Sequence, residues 1–176
     1  MPSERTEVQV RPGVAADLDA LTGLYNHYVR ETPVTFDTVA FTPEERRPWL
    51  LSHPEDGRHR LMVATDTDSP AILGYATSSA FRVKPAYETS VEVTVYVAPD
   101  AGGRGVGTLL YTSLFAALAA EDVHRAYAGI VPPNEASVRL HERFGFHHVG
   151  TYREVGRKFG RYWDVAWYEK ELTSGD

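Results

Sequence analysis

The stretch VEVTVYVAPDAGGRGVGTLLY, Val91 to Tyr111, decides how the rest of the chain is read. Its first half alternates. Val91, Val93, Val95 and Val97 share one face of a strand, and Glu92, Thr94 and Tyr96 share the other. Pro99 and Asp100 stop the strand. Gly102, Gly103, Gly105 and Gly107 follow, and then Leu109, Leu110, Leu114, Ala117 and Leu118 recur at helical spacing. The unit is strand, glycine loop, helix. Glycine lets a ligand come close to the backbone, and a first helical turn presents N–H groups that have no partner within the helix. Together they suit an anion, most often a phosphate.

The familiar phosphate fingerprints do not fit this loop. G-x-G-x-x-G fails on spacing, and no Gly-Lys-Ser/Thr follows Gly102 at the distance a Walker loop needs. What stands here is Arg104-Gly105-Val106-Gly107-Thr108. It resembles the pyrophosphate loop of the GNAT N-acetyltransferases, usually written Q/R-x-x-G-x-G/A. Gly105 and Gly107 match the two small positions. Gly102 stands where that family has Gln or Arg, which removes one side-chain contact but leaves the backbone cradle. Read without the resemblance, the loop is also an ordinary structural turn.

Working outward, Val8 and Val10 form a short first strand ended by Pro12 and Gly13. Asp17 to Val29 is an amphipathic helix, with Leu18, Leu21, Leu24, Tyr25 and Tyr28 on one face. Thr32-Pro33 breaks it. Thr42, Pro43 and Glu45 form a capping box that starts a second helix running to about Ser52. Leu61–Thr65 and Ile72–Ala80 read as a hairpin around a turn at 66–70, and 81–89 as a loop before the central strand. Beyond the central helix come a strand from Arg125 to Val131, a helix capped by Asn134 and running through Phe144, a stop at Gly145, and a strand from His147 to Tyr152. A turn at 156–160 and a last strand from Tyr162 to Lys170 complete the chain. Residues 1–6 and the tail after Leu172 are expected to be loose. The order is β-αα-βββ-α-β-α-ββ, a mixed α/β (α+β) arrangement around a mostly antiparallel sheet. It occupies one domain over 1–176, with an ordered core of about 8–172.

Composition narrows the function. The chain has 176 residues, 43% of them hydrophobic, which suffices for one sizeable core. It has no cysteine, so a disulfide framework, a thiol nucleophile and a cysteine zinc site are excluded. A formal charge of −6 argues against nucleic acid as a partner. No segment approaches ~18 continuous apolar residues, and the N-terminus has no apolar signal core, so a cytoplasmic protein without membrane contact is expected. His147-His148 lacks a carboxylate at ligand spacing, so no metal is expected.

The second half of the chain carries a closer resemblance. Thr94–Val97, Lys84–Tyr87 (KPAY), Ser137–Phe146 (SVRLHERFGF) and Arg157–Val165 (RKFGRYWDV) are similar to segments of the phosphinothricin N-acetyltransferases and related amino-acid N-acetyltransferases within the GNAT family. The element order agrees over nearly the whole chain. The resemblance implies the GNAT fold with a sheet splayed at the central strand, acetyl-CoA as donor, a small amine as acceptor and a homodimer.

It also assigns roles. Glu92 becomes the general base that takes a proton from the acceptor ammonium, directly or through water. Read alone it is an exposed strand carboxylate. His141 stands seven residues after Asn134, where many acetyltransferases carry a tyrosine that protonates the leaving thiolate, and a histidine is able to act as acid or base. Read alone it is a helix histidine. Asn134 caps its helix and, by resemblance, contacts the cofactor's pantetheine arm, as do backbone groups of Thr94, Val95, Tyr96 and Val97, freed by a break in pairing after Val97. Gly103 to Thr108, with Arg104, Val106 and Gly107, cradle the pyrophosphate. Phe36, Arg82, Lys84 and Tyr87 are expected at the acceptor, where cations and hydroxyls meet its anions. Tyr162, Trp163 and Asp164 are candidates for the same cavity.

The reading is an acetyl-CoA-dependent N-acetyltransferase acting on the α-amine of phosphinothricin-like or methionine-derived amino acids (methionine sulfone or sulfoximine), in a resistance role. Two alternatives remain open. One is the same chemistry on a polyamine, an aminoglycoside or a protein N-terminus, and the other is a non-catalytic acetyl-CoA-binding module.

Overall fold

Alternation in the central strand divides the protein into two layers, one on each side of the sheet. In the computed structural model, which describes residues 7–172, that strand is β4 (Ser90–Val97). Val91 and Val93 are fully buried on the face covered by α3 (Val106–Leu118), where Leu110, Leu114 and Leu118 meet them. Glu92, Thr94 and Tyr96 turn to the other face, which carries α1 (Leu18–Glu31) and α2 (Pro43–Leu51). The expected lead and tail lie outside the described residues.

β1 (Val8–Pro12), β2 (Leu61–Asp66), β3 (Ser69–Ala80), β5 (Arg125–Ile130), β6 (His147–Lys158) and β7 (Arg161–Glu171) complete a seven-stranded sheet. The strand order is β1-β2-β3-β4-β5-β7-β6, and every pairing is antiparallel except β4 with β5. The second layer explains why β2 is an unbroken apolar run. Met62 and Ala64 join the α3 core, while Leu61 and Val63 join Leu18, Leu21, Leu50 and Tyr75 under α1 and α2. Among the described residues no helix is long and apolar enough to cross a membrane.

The caps read in the sequence form. Thr42 and Glu45 exchange hydrogen bonds, Glu45 Oε2 taking the Thr42 N–H at 2.8 Å and Thr42 Oγ1 taking the Glu45 N–H at 3.2 Å. Asn134 Oδ1 accepts the Ser137 N–H at the start of α4 (Glu135–Arg143). Gly145, at φ +87°, ends α4. The Phe146 N–H closes on the His141 carbonyl at 3.0 Å, and Phe146 is buried beneath.

Three boundaries differ from expectation. β3 begins at Ser69, so the hairpin turn is shorter than 66–70; two register shifts at Ala64–Asp66 absorb the difference. β6 does not stop at Tyr152 but runs on to Lys158 through a bulge between Tyr152 and Gly156, where Glu154 has φ +50°. The turn is only Phe159-Gly160, both at positive φ, the two-residue loop that matches strand twist. The glycine at 156 therefore has another use. A Cβ there would lie 2.2 Å from the Phe36 ring, so Gly156 is the seat on which Phe36 rests.

Candidate active site

β4 and β5 pair only through Ser90↔Arg125, Val91↔Ala126 and Glu92↔Tyr127, then part. The break thus comes directly after Glu92, earlier in β4 than the expected one after Val97. Ala98 N–H bonds the Leu73 carbonyl on β3. By alternation, Thr94 and Tyr96 spend their backbone groups on β3, and Val95 and Val97 turn theirs toward the opening. The Val97 carbonyl accepts the Tyr28 hydroxyl. Val95 therefore offers the open backbone edge, and Tyr96 presents its ring to the aromatic cluster of Tyr25, Tyr28 and Tyr75. The opening is a slot of about 50 Å³ whose walls include Val95, Gly129, Asn134, Ser137, Tyr111 and His141.

At the end of β4 the loop reaches α3 with Gly103 at φ +76° and Gly105 at φ +72°. An added Cβ at either would meet no protein atom within 4 Å, so the backbone there is bare on its outer side. The first helical bond is Leu109 N–H to the Gly105 carbonyl, which leaves the N–H groups of Val106, Gly107 and Thr108 without helical acceptors. Gly107 serves packing as well: its Cβ would lie 3.0 Å from Leu140 on α4. Arg104 is tied to Asp66 at 2.5 Å. The cradle, the free N–H groups and the slot fit a pyrophosphate followed by a slender amide-bearing arm.

Glu92 opens onto a cavity of about 270 Å³ on the α1–α2 side, together with Thr94, Tyr96, Thr77 and Ser79. Burial pushes its carboxyl above the ordinary carboxylate value, and the Arg82 charge opposes the shift. Tyr25, Asp37, Phe41, Arg46 and Trp49 close the far wall. The loop between α1 and α2 is pinned from several sides. Asn26 takes the Phe41 N–H at 2.9 Å and donates to its carbonyl at 2.7 Å. Lys158 Nζ donates to the Thr32 and Thr35 carbonyls at 2.7 and 2.8 Å. The Tyr25 hydroxyl donates to Asp37, and its pKa is pushed up to about 12, first by burial and then by that carboxylate.

His141 is buried at the root of the slot, and both ring nitrogens are engaged. Nδ1 lies 2.7 Å from the Ser137 carbonyl and so carries the proton; Nε2 then accepts the Tyr111 hydroxyl at 2.8 Å. Burial lowers its pKa, and the Ser137 bond opposes the shift.

Val95, Asn134 and His141 line the slot, Glu92 lines the cavity on the α1–α2 side, and Thr94 and Tyr96 line both; Phe36 and the loop 103–108 line neither. Lys84 and Tyr87 stand exposed on a short turn outside the cavity lining, and Arg82 folds over the Phe81 ring at 4.1 Å. Tyr162, Trp163 and Asp164 line a separate depression with Pro132 and Arg161, so the expectation that they share the Glu92 cavity is corrected. The sequence reading passed over Arg46, Trp49 and Tyr75. Arg46 and Trp49 sit in the run EERRPW, whose charges look like a solvated helix face. Among the described residues no three His, Asp or Glu side chains converge as a metal would require. His147 meets Glu169 across the β6–β7 pair at 3.2 Å.

The class follows from a sheet that opens beside a glycine-lined helix N-terminus: residues 14–167 match the acetyltransferase (GNAT) domain, and the chain belongs to that family. Within it, the chain is 80% identical to a phosphinothricin N-acetyltransferase of Streptomyces coelicolor over 94% of this chain and 97% of that protein. It is 31% identical to an L-methionine sulfoximine/L-methionine sulfone acetyltransferase of Pseudomonas aeruginosa, over 93% of this chain and 94% of that one. The crystal structure of a GNAT-superfamily phosphinothricin acetyltransferase from Sinorhizobium meliloti in complex with acetyl-CoA superimposes with a TM-score of 0.89. The identity is 31%, over 96% of this chain and 90% of that one.

Proposed function

We propose that this protein is an acetyl-CoA-dependent N-acetyltransferase that acetylates the α-amine of phosphinothricin-like or methionine-derived amino acids, in a detoxifying role. The observation that carries the reading is the placement of Glu92, a carboxylate raised by burial, where the β4–β5 slot meets the acceptor cavity. The names of the relatives support the acceptor class.

Acetyl-CoA, when bound, supplies an activated acetyl thioester. Gly103, Gly105 and the N–H groups at the start of α3 would hold its pyrophosphate, aided by Arg104 as a charge. The edge of Val95 and the Asn134 side chain would hold the amide-bearing arm. The Val95 N–H offers the acyl oxygen a donor. Glu92 takes the proton that the acceptor ammonium must lose, and its raised pKa brings it nearer to the working pH. His141 can take a proton only by giving up the Tyr111 hydroxyl, which favours Glu92 as the base; His141 would return a proton to sulfur only after gaining one at Nε2 in that way. Phe36, on its Gly156 seat, is the aromatic side chain proposed to border the acceptor. Arg82, Lys84 and Tyr87 belong to the loop that leaves β3 beside Glu92, where Ala80 pairs with Val91, and are the contacts proposed for the acceptor's anions.

A cytoplasmic location and a homodimer complete the proposal. Exposed Val149, Tyr152 and Val155 on the edge strand β6 support the dimer. The test is a panel of amines with acetyl-CoA and a thiol reporter. Phosphinothricin, methionine sulfone and methionine sulfoximine should turn over, whereas spermidine, an aminoglycoside and an N-terminal peptide should not. Thiol release with none of the amino acids would refute the assignment, and release with none of the panel would favour a module that only binds acetyl-CoA.

A further inference from the structure

Arg46 is 6% exposed, yet no carboxylate pairs with it among the described residues. Its guanidinium carbon lies 4.0 Å from the Tyr25 ring centroid and 3.9 Å from that of Trp49, so it sits over both aromatic rings. Nη1 is buried and has no hydrogen-bond partner. The nearby Tyr75 hydroxyl is raised by burial and pulled part of the way back by the Arg46 charge.

A buried cation without a counter-charge is costly. Desolvating an ion is expensive, and cation–π contacts offset that cost only in part. Arg46 lines the same cavity as Glu92, where an anionic group could reach it. The other acids on that lining are committed elsewhere. Asp37 accepts the Tyr25 hydroxyl, and Glu45 caps α2 through the Thr42 N–H. A planar guanidinium that bonds the Tyr75 hydroxyl and keeps Nη1 unpartnered can still meet a carboxylate or a tetrahedral oxyanion.

We propose that Arg46, set over the Tyr25 and Trp49 rings, binds an oxyanion of the acceptor amino acid and so sets acceptor specificity. The proposal rests on the acetyltransferase reading and names a residue that reading does not need. Arg46 touches no reacting atom, so its effect falls on acceptor binding.

The experiment uses three acceptors with wild type, Arg46→Gln and Arg46→Lys: phosphinothricin, methionine sulfone, and the amine left when methionine sulfone loses its carboxylate. KM for acetyl-CoA and a thermal melt accompany each protein. Arg46→Gln should raise KM for phosphinothricin about 10–100-fold, as expected for a charge-assisted bond, with kcat and the acetyl-CoA KM nearly unchanged. Arg46→Lys, which keeps the charge but not the fork, should recover part of that loss. If the phosphinate is the ligand, the loss is at least tenfold greater for phosphinothricin than for methionine sulfone. If the α-carboxylate is the ligand, both amino acids lose equally and the decarboxylated amine is spared. Equal losses on all three acceptors, or no change in any acceptor KM in a folded variant, would show a cation used only for packing and overturn the proposal. Should Arg46→Gln fail to fold, the Arg46→Lys pattern across the three acceptors decides by the same criteria. A wild type inert toward every amino acid would instead remove the functional reading on which the proposal stands.

Discussion

Burial raises the Glu92 carboxyl above its ordinary value while the Arg82 charge opposes the shift, so Glu92→Gln pulls activity and stability in opposite directions. Loss of a general base typically costs ~10²–10⁴-fold, and kcat/KM should fall by that much at neutral pH. The deficit should shrink as pH rises, because free amine and hydroxide then replace the missing base. The pH–rate profile of Glu92→Gln should lose the Glu92 inflection on its acidic limb and follow the free amine alone, while His141→Ala should keep that inflection; the reverse pattern would move the base to His141. Stability goes the other way. A folded-state pKa above the unfolded one means that Glu92 favours folding fully below the unfolded carboxylate pKa, and that this support is lost as pH rises through the folded value. The glutamine carries no such loss. Melting temperatures should therefore favour Glu92→Gln at neutral pH, and the gap should close in acid. A variant no more stable than wild type at pH 7 would mean that the carboxylate is better solvated than its place in the cavity indicates.

Two glycines link elements to the site. Gly105, at φ +72°, turns the loop into α3, and a β-branched residue there costs ~1–3 kcal/mol of strain besides covering the bare backbone. Gly105→Val should raise KM for acetyl-CoA tenfold or more and leave KM for the acceptor close to wild type. Gly156 bears on the proposed acceptor side through Phe36. A methyl at 156 would displace the Phe36 ring, while Lys158 still holds Thr32 and Thr35 in place. Gly156→Ala should raise the acceptor KM severalfold and spare acetyl-CoA, as steady-state kinetics with each substrate varied in turn would show. Much of this was legible in the chain, because strand alternation and helix caps are local. Val91 to Val97 announced which way Glu92 points, and Asn134 and Gly145 announced both ends of α4. What was not legible depends on distant partners. Gly156 reads as a turn until Phe36, far away in sequence, is found resting on it. Arg46 reads as solvent-facing until Tyr25 and Trp49 close over it. The early parting of β4 from β5 leaves no mark in either strand.

At the scale of the whole molecule, the sheet ends in β6, an edge strand with Val149, Tyr152 and Val155 each about half exposed. Edge strands usually blunt themselves with charge, and apolar side chains at an edge invite pairing. Beside them lies a depression of about 320 Å³ lined by Phe81, Tyr127, Trp167 and Tyr152. Phe81 and Tyr127 stack at 4.4 Å, and the Trp167 indole N–H is buried without a partner among the described residues. The aromatic lining of this depression, next to an exposed edge strand, fits the proposed subunit contact. Arg82, which acts on Glu92, also lines this depression, so the proposed dimer would couple assembly to the acceptor loop. Tyr152→Asp places a charge on this surface without touching either core. It should shift sedimentation toward a monomer, with the melting temperature losing the dependence on protein concentration that a dimer shows. KM for the acceptor should rise more than KM for acetyl-CoA, because the glycine cradle at the start of α3 lies away from β6. A wild type that sediments as a monomer at every concentration would end the proposal of a dimer, and a monomeric Tyr152→Asp with unchanged kinetics would confine the dimer to stability.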